Sequence, residues 1–128
     1  MMHVLSSRIL LRPTDPERSR RFYKDILNLQ IYREFGTGPD RGTVYFLGGG
    51  FLELSGRSET PPAPGISLWL QVSDAKAAYG HVVARGATVD RPPQLEPWGL
   101  VEMWLTDPDG VRIAVVEVPE DHPLRHRP

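Results

Sequence analysis

The stretches RILLRPTD, residues 8–15, and SLWLQVSD, residues 67–74, share one plan. Each is a short apolar run that ends in an aspartate, and each is followed by residues spaced at i, i+3, i+4, i+7 and i+8. That spacing places one face of a helix on a core. The two sets are Ser19, Phe22, Tyr23, Ile26 and Leu27, then Ala75, Ala78, Tyr79, Val82 and Val83. Strand-like runs and Gly-rich turns follow each helix, so the duplication predicts two βαβββ units that form paired sheets around a cleft.

Local signals give bounds for the two helices. The first is predicted to run from Asp15 to about Asn28, because Asp is a favoured N-cap and Asn tolerates the left-handed conformation of a C-cap. The second is predicted to run from Asp74 to about Arg85, and Gly86 suits the position just beyond its end.

Eight strands are predicted from apolar runs bounded by turn residues. The first begins at Arg8, and the others are QIYREF (30–35), TVYFLG (43–48), FLELSG (51–56), ISLWLQV (66–72), ATVDR (87–91), LVEMWLT (100–106) and VRIAVVEV (111–118). Residues 92–99, PPQLEPWG, are predicted to form a loop. The segment DPDG (107–110) predicts a hairpin, because Pro followed by Asp-Gly between two apolar runs favours a tight turn.

The length of 128 residues predicts one α+β domain, residues 1–128. Module one covers residues 4–56 and module two covers residues 66–118. Residues 57–65, RSETPPAPG, contain three prolines and are predicted to link the modules. The polar tail, residues 119–128, is predicted to be loose.

Composition excludes several classes of protein. The net charge of −1 gives no general attraction to nucleic acid or to an anionic membrane, and neither is expected as a partner. The absence of cysteine excludes disulfides, thiolate chemistry and Cys-ligated zinc. The sequence has neither an apolar run of about 20 residues nor a signal-peptide pattern. A cytoplasmic location is the default expectation.

Taken together, these features resemble the vicinal-oxygen-chelate superfamily, also called the glyoxalase / bleomycin resistance protein / dioxygenase superfamily. The resemblance is carried by the run that ends at Asp15, by Phe22-Tyr23, by the repeat of that plan at 67–83, and by WLTDPDGVRIAVVE at 104–117. EPWG, residues 96–99, resembles the metal-free bleomycin-resistance branch. The resemblance implies two half-barrel sheets with the helices outside, a ligand on the inner face, and a homodimer.

The resemblance also identifies positions for a metal site. Metal-dependent members place one ligand on the first and on the last strand of each module, and these positions here are Arg8, Glu53, Ser67 and Ala114. Only Glu53 is a good ligand, since the guanidinium of Arg8 repels a cation and Ala114 has no donor atom. Catalytic metals of this kind need about three protein ligands. We therefore expect neither a metal nor another cofactor.

The four histidines do not restore a metal site. His3 precedes the first strand, and His81 is expected on the solvent side of the second helix. His122 and His126 have the i, i+4 spacing of a helical metal pair, but Pro123 argues against a helix there.

Strand alternation predicts which side chains face the cleft. They are Arg8, Leu10 and Arg12; Phe51, Glu53 and Ser55; Ser67, Trp69 and Gln71; and Arg112, Ala114 and Val116. The predicted ligand-binding residues are Arg8, Glu53, Ser67, Trp69, Trp98 and Ala114, because apolar walls with a few polar groups are typical of sites for organic ligands.

Structural roles remain open for several of these residues. Trp69 is predicted either to contact the ligand or to fill the barrel, and Trp98 either to contact the ligand or to lie in a dimer interface. Trp104 is more typical of a core. Arg8 and Glu53 are alternatively a buried ion pair that closes a lost metal site.

The first hypothesis for function is a metal-free protein that binds or sequesters an aromatic, drug-like or natural-product ligand, with antibiotic resistance as one use. The alternative is a lyase, isomerase or dioxygenase-type enzyme of the same superfamily with a reduced or atypical site around Glu53. A purely structural dimer module is a third possibility.

Overall fold

The computed structural model describes residues 1–62 and 64–125, which form two compact units. The first unit is Met1–Pro62 and the second is Ala63–Pro128. Their boundary falls within the segment 57–65, for which the sequence predicts a linker. Each unit contains one four-stranded sheet and one main helical segment.

The first unit has the element order βαβββ. Its strands are β1 (Arg8–Leu11), β2 (Ile31–Phe35), β3 (Gly42–Leu47) and β4 (Gly50–Leu54), and its helix is α1 (Pro16–Arg21), which continues as a π-helical turn (Phe22–Ile26). A short 3-10 turn, Gly38–Asp40, precedes β3. The sheet order is β1-β4-β3-β2, with β1 parallel to β4 and the other pairs antiparallel.

The second unit repeats this order and topology. Its strands are β5 (Ser67–Val72), β6 (Val89–Leu95), β7 (Val101–Thr106) and β8 (Arg112–Glu117), and its helix is α2 (Ala75–Ala84). The sheet order is β5-β8-β7-β6, again with the first and last strands parallel. The predicted fold of two βαβββ modules with eight strands is confirmed for the described residues.

The repeated aspartates begin both helices as predicted. Asp15 Oδ1 accepts the backbone N–H of Arg18 at 3.2 Å, and Asp74 Oδ1 accepts that of Ala77 at 3.0 Å. Asn28, which follows the first helical segment, has a left-handed φ of 57°. No helix within residues 1–62 and 64–125 is long and apolar enough to cross a membrane.

In the first unit, the helical segment covers one face of the sheet. Leu52 and Leu54 are buried, and Tyr45, the register partner of Leu52, lies with its ring 6.4 Å from that of Tyr23. Alternation places Phe51 and Glu53 of β4 on the opposite face. We call this opposite face the helix-free face of the sheet.

In the second unit, α2 lies against β6, β7 and β8. The backbone N–H of Ala75 donates to Glu117 Oε1 at 2.9 Å, so the side of β8 that carries Glu117 is the helix-covered side. Ile113 shares this side, and it is fully buried. Ala114 and Val116 therefore lie on the helix-free face, as predicted from alternation.

The prediction of a loop at residues 92–99 is wrong in its first half. β6 continues to Leu95 and includes Pro92 and Pro93. β6 is the edge strand of its sheet. A proline nitrogen that faces solvent on an edge strand removes no hydrogen bond between strands. Register shifts against β7 on both sides of Arg91 accommodate the prolines.

The cap of α2 gives a first testable prediction. Asp74→Ala should lower the free energy of unfolding by about 1 kcal/mol, because the backbone N–H of Ala77 loses its acceptor. Asp74→Ser is the matched control, since a serine hydroxyl also caps well. Urea denaturation measures both variants, and an equal loss in the two would mean that capping is not the cause.

Candidate functional site

Arg8 and Glu53 form an ion pair on the helix-free face of the first sheet. Arg8 Nη1 donates to Glu53 Oε1 at 2.8 Å, and the Ser55 hydroxyl donates to Glu53 Oε2 at 2.7 Å. The hydrogen bond from Ser55, together with the hydrogen bond and charge of Arg8, holds the pKa of Glu53 below its ordinary value against the opposing effect of burial. The Arg8 side chain is 38% exposed and that of Glu53 is 14% exposed, so the expected ion pair is present but only its carboxylate is well buried.

Three aromatic rings lie on the same face beside this ion pair. The ring of Tyr32 is 5.1 Å from that of Phe46 and 4.8 Å from that of Phe51, and the Arg8 guanidinium carbon is 5.8 Å from the centre of the Phe51 ring. Sequence reasoning identified Phe51 but missed its two partners. Phe46 is the register partner of Phe51, so the hairpin register around Gly48-Gly49-Gly50 could have revealed it. Tyr32 lies at a register shift in β2, which breaks the alternation on which such a prediction depends.

Two tryptophans flank Ala114 on the helix-free face of the second sheet. Trp69 in β5 and Trp104 in β7 are both register partners of Ala114, which therefore lies between them on the central strand β8. Ala114 is 1% exposed and belongs to an apolar cluster with Leu100, Val116 and Val118, against which Trp104 packs. Trp69 is 51% exposed. We call this row, Trp69, Ala114 and Trp104, the indole row.

Arg112 lies beside the indole row. Its guanidinium carbon is 5.0 Å from the centre of the Trp104 ring, which is cation–π geometry. Its Nε lies 3.8 Å from Asp90 Oδ2. The register partner of Arg112 in β5 is Ser67, a predicted ligand contact, which is exposed. Arg112, which alternation assigned to the cleft, therefore places a cation on one side of the row.

A buried carboxylate that the sequence analysis did not identify connects two of the tryptophans. Glu102 in β7 is 6% exposed, and it accepts the indole N–H of Trp98 at 2.7 Å through Oε2 and that of Trp104 at 3.4 Å through Oε1. Alternation within LVEMWLT places Glu102 on the same face as Trp104, which was an available signal. The contact with Trp98 had no signal in the sequence, because it depends on how the loop closes.

The loop that carries Trp98 is a tight turn held by the tail. Gly99 has a φ of 91°, and its backbone N–H donates to the carbonyl of Glu96 at 2.9 Å. The Nε2 atom of His122 lies 3.1 Å from the carbonyl oxygen of Trp98. A Cβ at Gly99 would lie 3.1 Å from the ring of His122, so the two segments are closely packed. This part of the tail therefore contacts the Trp98 turn, the looseness of the tail stays a prediction, and His126 lies outside the described residues.

The residues at the four candidate ligand positions do not fit a metal ion. Both oxygens of Glu53 already accept hydrogen bonds, the position of Arg8 holds a cation, and Ala114 offers no donor atom. In the described part of the chain, no three His, Asp or Glu side chains are grouped so that they could hold a metal. His81, half-buried, lies against Arg85.

The ion pair of the first unit gives a prediction for pH dependence. Because folding lowers the pKa of Glu53, its contribution to stability is present above the ordinary value of 4.5 and is lost as the pH falls through the lowered value. Glu53→Gln should therefore cost up to about 1 kcal/mol at neutral pH, discounted for the exposure of Arg8, and less in acid. Urea denaturation across this pH range measures the difference, with Glu59→Gln, an exposed carboxylate of the same unit, as control. A cost that does not shrink in acid would contradict this assignment.

Solved structures from several organisms are similar to this chain. One is a glyoxalase/bleomycin resistance protein/dioxygenase superfamily member from Sphaerobacter thermophilus DSM 20745, at 26% identity and a TM-score of 0.72, covering 91% of this chain and 99% of that one. Another is TnmS3, an antibiotic-binding protein from Streptomyces sp. CB03234, at 21% identity and a TM-score of 0.76, covering 93% and 99%. TioX from Micromonospora sp. ML1 has 21% identity and a TM-score of 0.72, covering 89% and 98%.

At 21% identity, TnmS3 and TioX show a shared fold alone. No curated protein matches the sequence. The family model of the Glyoxalase/Bleomycin resistance protein/Dioxygenase superfamily matches residues 4–115, which is most of the chain and runs from before β1 into the last strand, β8. The family model, the duplicated topology and the structural neighbours agree, and the chain belongs to the glyoxalase/bleomycin resistance protein/dioxygenase superfamily.

Proposed function

We propose that this protein binds a flat, partly aromatic small molecule, without a metal, on the helix-free face of its second sheet. The observation that carries the proposal is the indole row, in which the small Ala114 lies between two tryptophans on neighbouring strands. The ligand would stack on the exposed indole of Trp69, and the covered Ala114 and Trp104 would support that end of the row from behind.

The exposed indole of Trp69 suits a flat ring. Ala114 is 1% exposed and Trp104 packs on its apolar cluster, so the space between the two indoles is already filled by the chain itself. Trp69, at the β5 end of the row, is 51% exposed and offers its ring to a ligand. A stacked pair on this indole would contribute about 0.5–1.5 kcal/mol beyond area burial.

The two indoles differ in a way that supports this role. Trp104 is fixed, since it packs on the apolar cluster and its N–H is directed at Glu102. Trp69 is 51% exposed, so about half of its surface is accessible to another molecule. That molecule is a ligand in our proposal. The predicted homodimer would offer a second explanation for the exposure, and it stays a prediction.

The other predicted site residues keep their proposed roles with one refinement. Ser67 and Trp98 are proposed to contact the ligand in the second unit. Arg112 is held less closely by its carboxylate, Asp90 at 3.8 Å, than Arg8 is by Glu53 at 2.8 Å, and it is proposed to bind a carboxylate or phenolate of the ligand. Arg8 and Glu53 stay predicted as polar contacts for a ligand on the first sheet, and the site proposed on the second sheet does not include them. Their charges already neutralise each other, so they favour a neutral or dipolar part of a ligand over a free ion.

The alternative enzyme reading, with Glu53 as the reacting group, has less support. A general base needs a carboxylate with a free lone pair directed at its substrate and a pKa near the operating pH. Here each oxygen accepts one hydrogen bond, which leaves lone pairs available, but the hydrogen bonds and the charge of Arg8 lower the pKa of Glu53 and make it a weaker base. The antibiotic-binding property of TnmS3 belongs to that protein, and a similar ligand class for this chain is part of the proposal.

Substitution of Trp69 tests the binding proposal. The probes are three flat aromatics of one shape and different charge: aminoacridine (a cation), anthracene carboxylate (an anion) and anthracene methanol (neutral). Trp69→Ala should weaken the binding of at least one probe about tenfold and leave the melting temperature of the free protein nearly unchanged, because the indole is half-exposed. Titration calorimetry and thermal melting measure the two effects. Leu95→Ala, an exposed apolar residue of the same sheet, is the control.

Two results would contradict the proposal. Unchanged affinity for every probe in the Trp69→Ala variant would mean that this indole does not contact a ligand. A fall of many degrees in the melting temperature without ligand would mean that Trp69 belongs to the core.

Metal content gives a separate test of the metal-free part of the proposal. We expect purified protein to contain far less than one equivalent of zinc, nickel, manganese or iron, because one available carboxylate cannot compete with water for the ion. Elemental analysis measures this directly, in the protein as purified and again after it has been incubated with each metal and dialysed against metal-free buffer. Stoichiometric metal that stays bound after this dialysis would favour the enzyme alternative.

A further inference from the structure

Glu102 is a buried carboxylate whose hydrogen-bond partners are both tryptophans. Its two oxygens accept from different indoles, Oε2 from Trp98 at 2.7 Å and Oε1 from Trp104 at 3.4 Å. Among the described residues, no Lys, Arg or His forms an ion pair with it. A buried charge is costly unless its oxygens are hydrogen-bonded, so these two N–H groups are what the burial of Glu102 depends on.

We propose that Glu102 is a positioning residue that holds the indoles of Trp98 and Trp104 in one arrangement, and thereby sets the affinity of the ligand site without touching the ligand. This inference rests on the proposed function for its effect on binding. Its effect on the two indoles is independent of that function and can be measured in the free protein.

The chemistry of the contact requires a carboxylate. An indole N–H is a donor only, and two donors that approach separate oxygens need an acceptor at both positions. A glutamine of the same shape offers one carbonyl oxygen and one NH2 group, which would face an indole N–H donor to donor. The shorter contact with Trp98 is the stronger one, so the amide oxygen should turn to Trp98 and leave Trp104 without an acceptor.

The position of Trp98 depends on Glu102 more than that of Trp104 does. Trp98 is 58% exposed and lies in a turn. Its own backbone carbonyl oxygen lies 3.1 Å from His122 Nε2, which holds the backbone but not the indole. Trp104 lies within a strand, has ladder partners on both sides and packs on the apolar cluster. Loss of the carboxylate should therefore free the Trp98 side chain and only slightly shift that of Trp104.

Indole N–H resonances in ¹⁵N-labelled free protein test the positioning itself. The chain has three tryptophans, so three indole signals are expected, each assigned with a Trp→Phe variant. In the parent protein the Trp98 signal should lie downfield and exchange slowly with solvent. Glu102→Gln should move the Trp104 signal upfield, and Glu102→Ala should move both and speed the exchange of Trp98. Glu120→Gln, an exposed carboxylate of the same unit, should change none of them.

The three probes of different charge then test the effect on binding. Glu102→Ala should weaken the binding of every probe that binds the parent protein by a similar factor of about tenfold. The reason is that a displaced Trp98 indole affects all flat ligands alike, whatever their charge. A loss confined to aminoacridine would mean that Glu102 contacts a cationic ligand directly, and it would overturn the positioning role. Unchanged indole signals in both Glu102 variants would overturn it without any ligand.

Failure of the proposed function gives a different pattern. If no probe binds the parent protein but the indole signals move as expected, Glu102 positions the indoles and the ligand proposal is wrong in its choice of site. If the probes bind and the signals do not move, the site stands and the role of Glu102 is wrong.

Discussion

The parallel pairing of the first and last strands is the constraint on which each unit of this protein depends. In the first unit it brings β1 against β4, so that Leu10 is opposite Glu53 although 43 residues separate them. In the second unit it brings Trp69 opposite Ala114. A parallel pair needs a long crossover connection, and the capped helix that follows each first strand is part of that connection. Arg8, Glu53, Ser67, Trp69 and Ala114 come from these paired strands for this reason.

The two faces of each sheet bury different kinds of side chain. The helix-covered face buries the side chains that hold the helix, such as Leu52 and Ile113. The helix-free face of the second sheet is also apolar at its centre, where Ala114 and Val116 are buried. Polar groups on this face must find partners within an apolar setting, since an unpaired buried donor or acceptor is costly. The contacts of Glu102 with two indole N–H groups satisfy that requirement for the carboxylate and for both rings.

Charge is handled differently in the two units. Glu53 has a cationic partner and a hydroxyl donor, and the resulting low pKa keeps it ionised over a wide pH range. Glu102 has only neutral donors, so its negative charge is stabilised by hydrogen bonds and by nothing of opposite sign in the described residues. Arg112 and Glu102 lie on opposite sides of the indole row along the strands. Arg112 is two positions before Ala114 in β8, and Glu102 is two positions before Trp104 in the antiparallel β7. The indole row is therefore bordered along the strand direction by a cation on one side and an anion on the other.

By itself, the sequence determined the elements, their repetition and the faces of the strands. The periodicities of 3.6 and 2 are local properties, and so are the caps at Asp15 and Asp74, which explains why both helices and the positions of Trp69 and Ala114 could be predicted. Only the tertiary structure decided the contacts that cross between elements. The edge position of β6 allows Pro92 and Pro93 in a strand, and a register shift in β2 brings Tyr32 to its aromatic partners. The closure of the loop at Gly99 brings Trp98 to Glu102, because a hydrogen bond between side chains depends on distances in space that no spacing along the chain records.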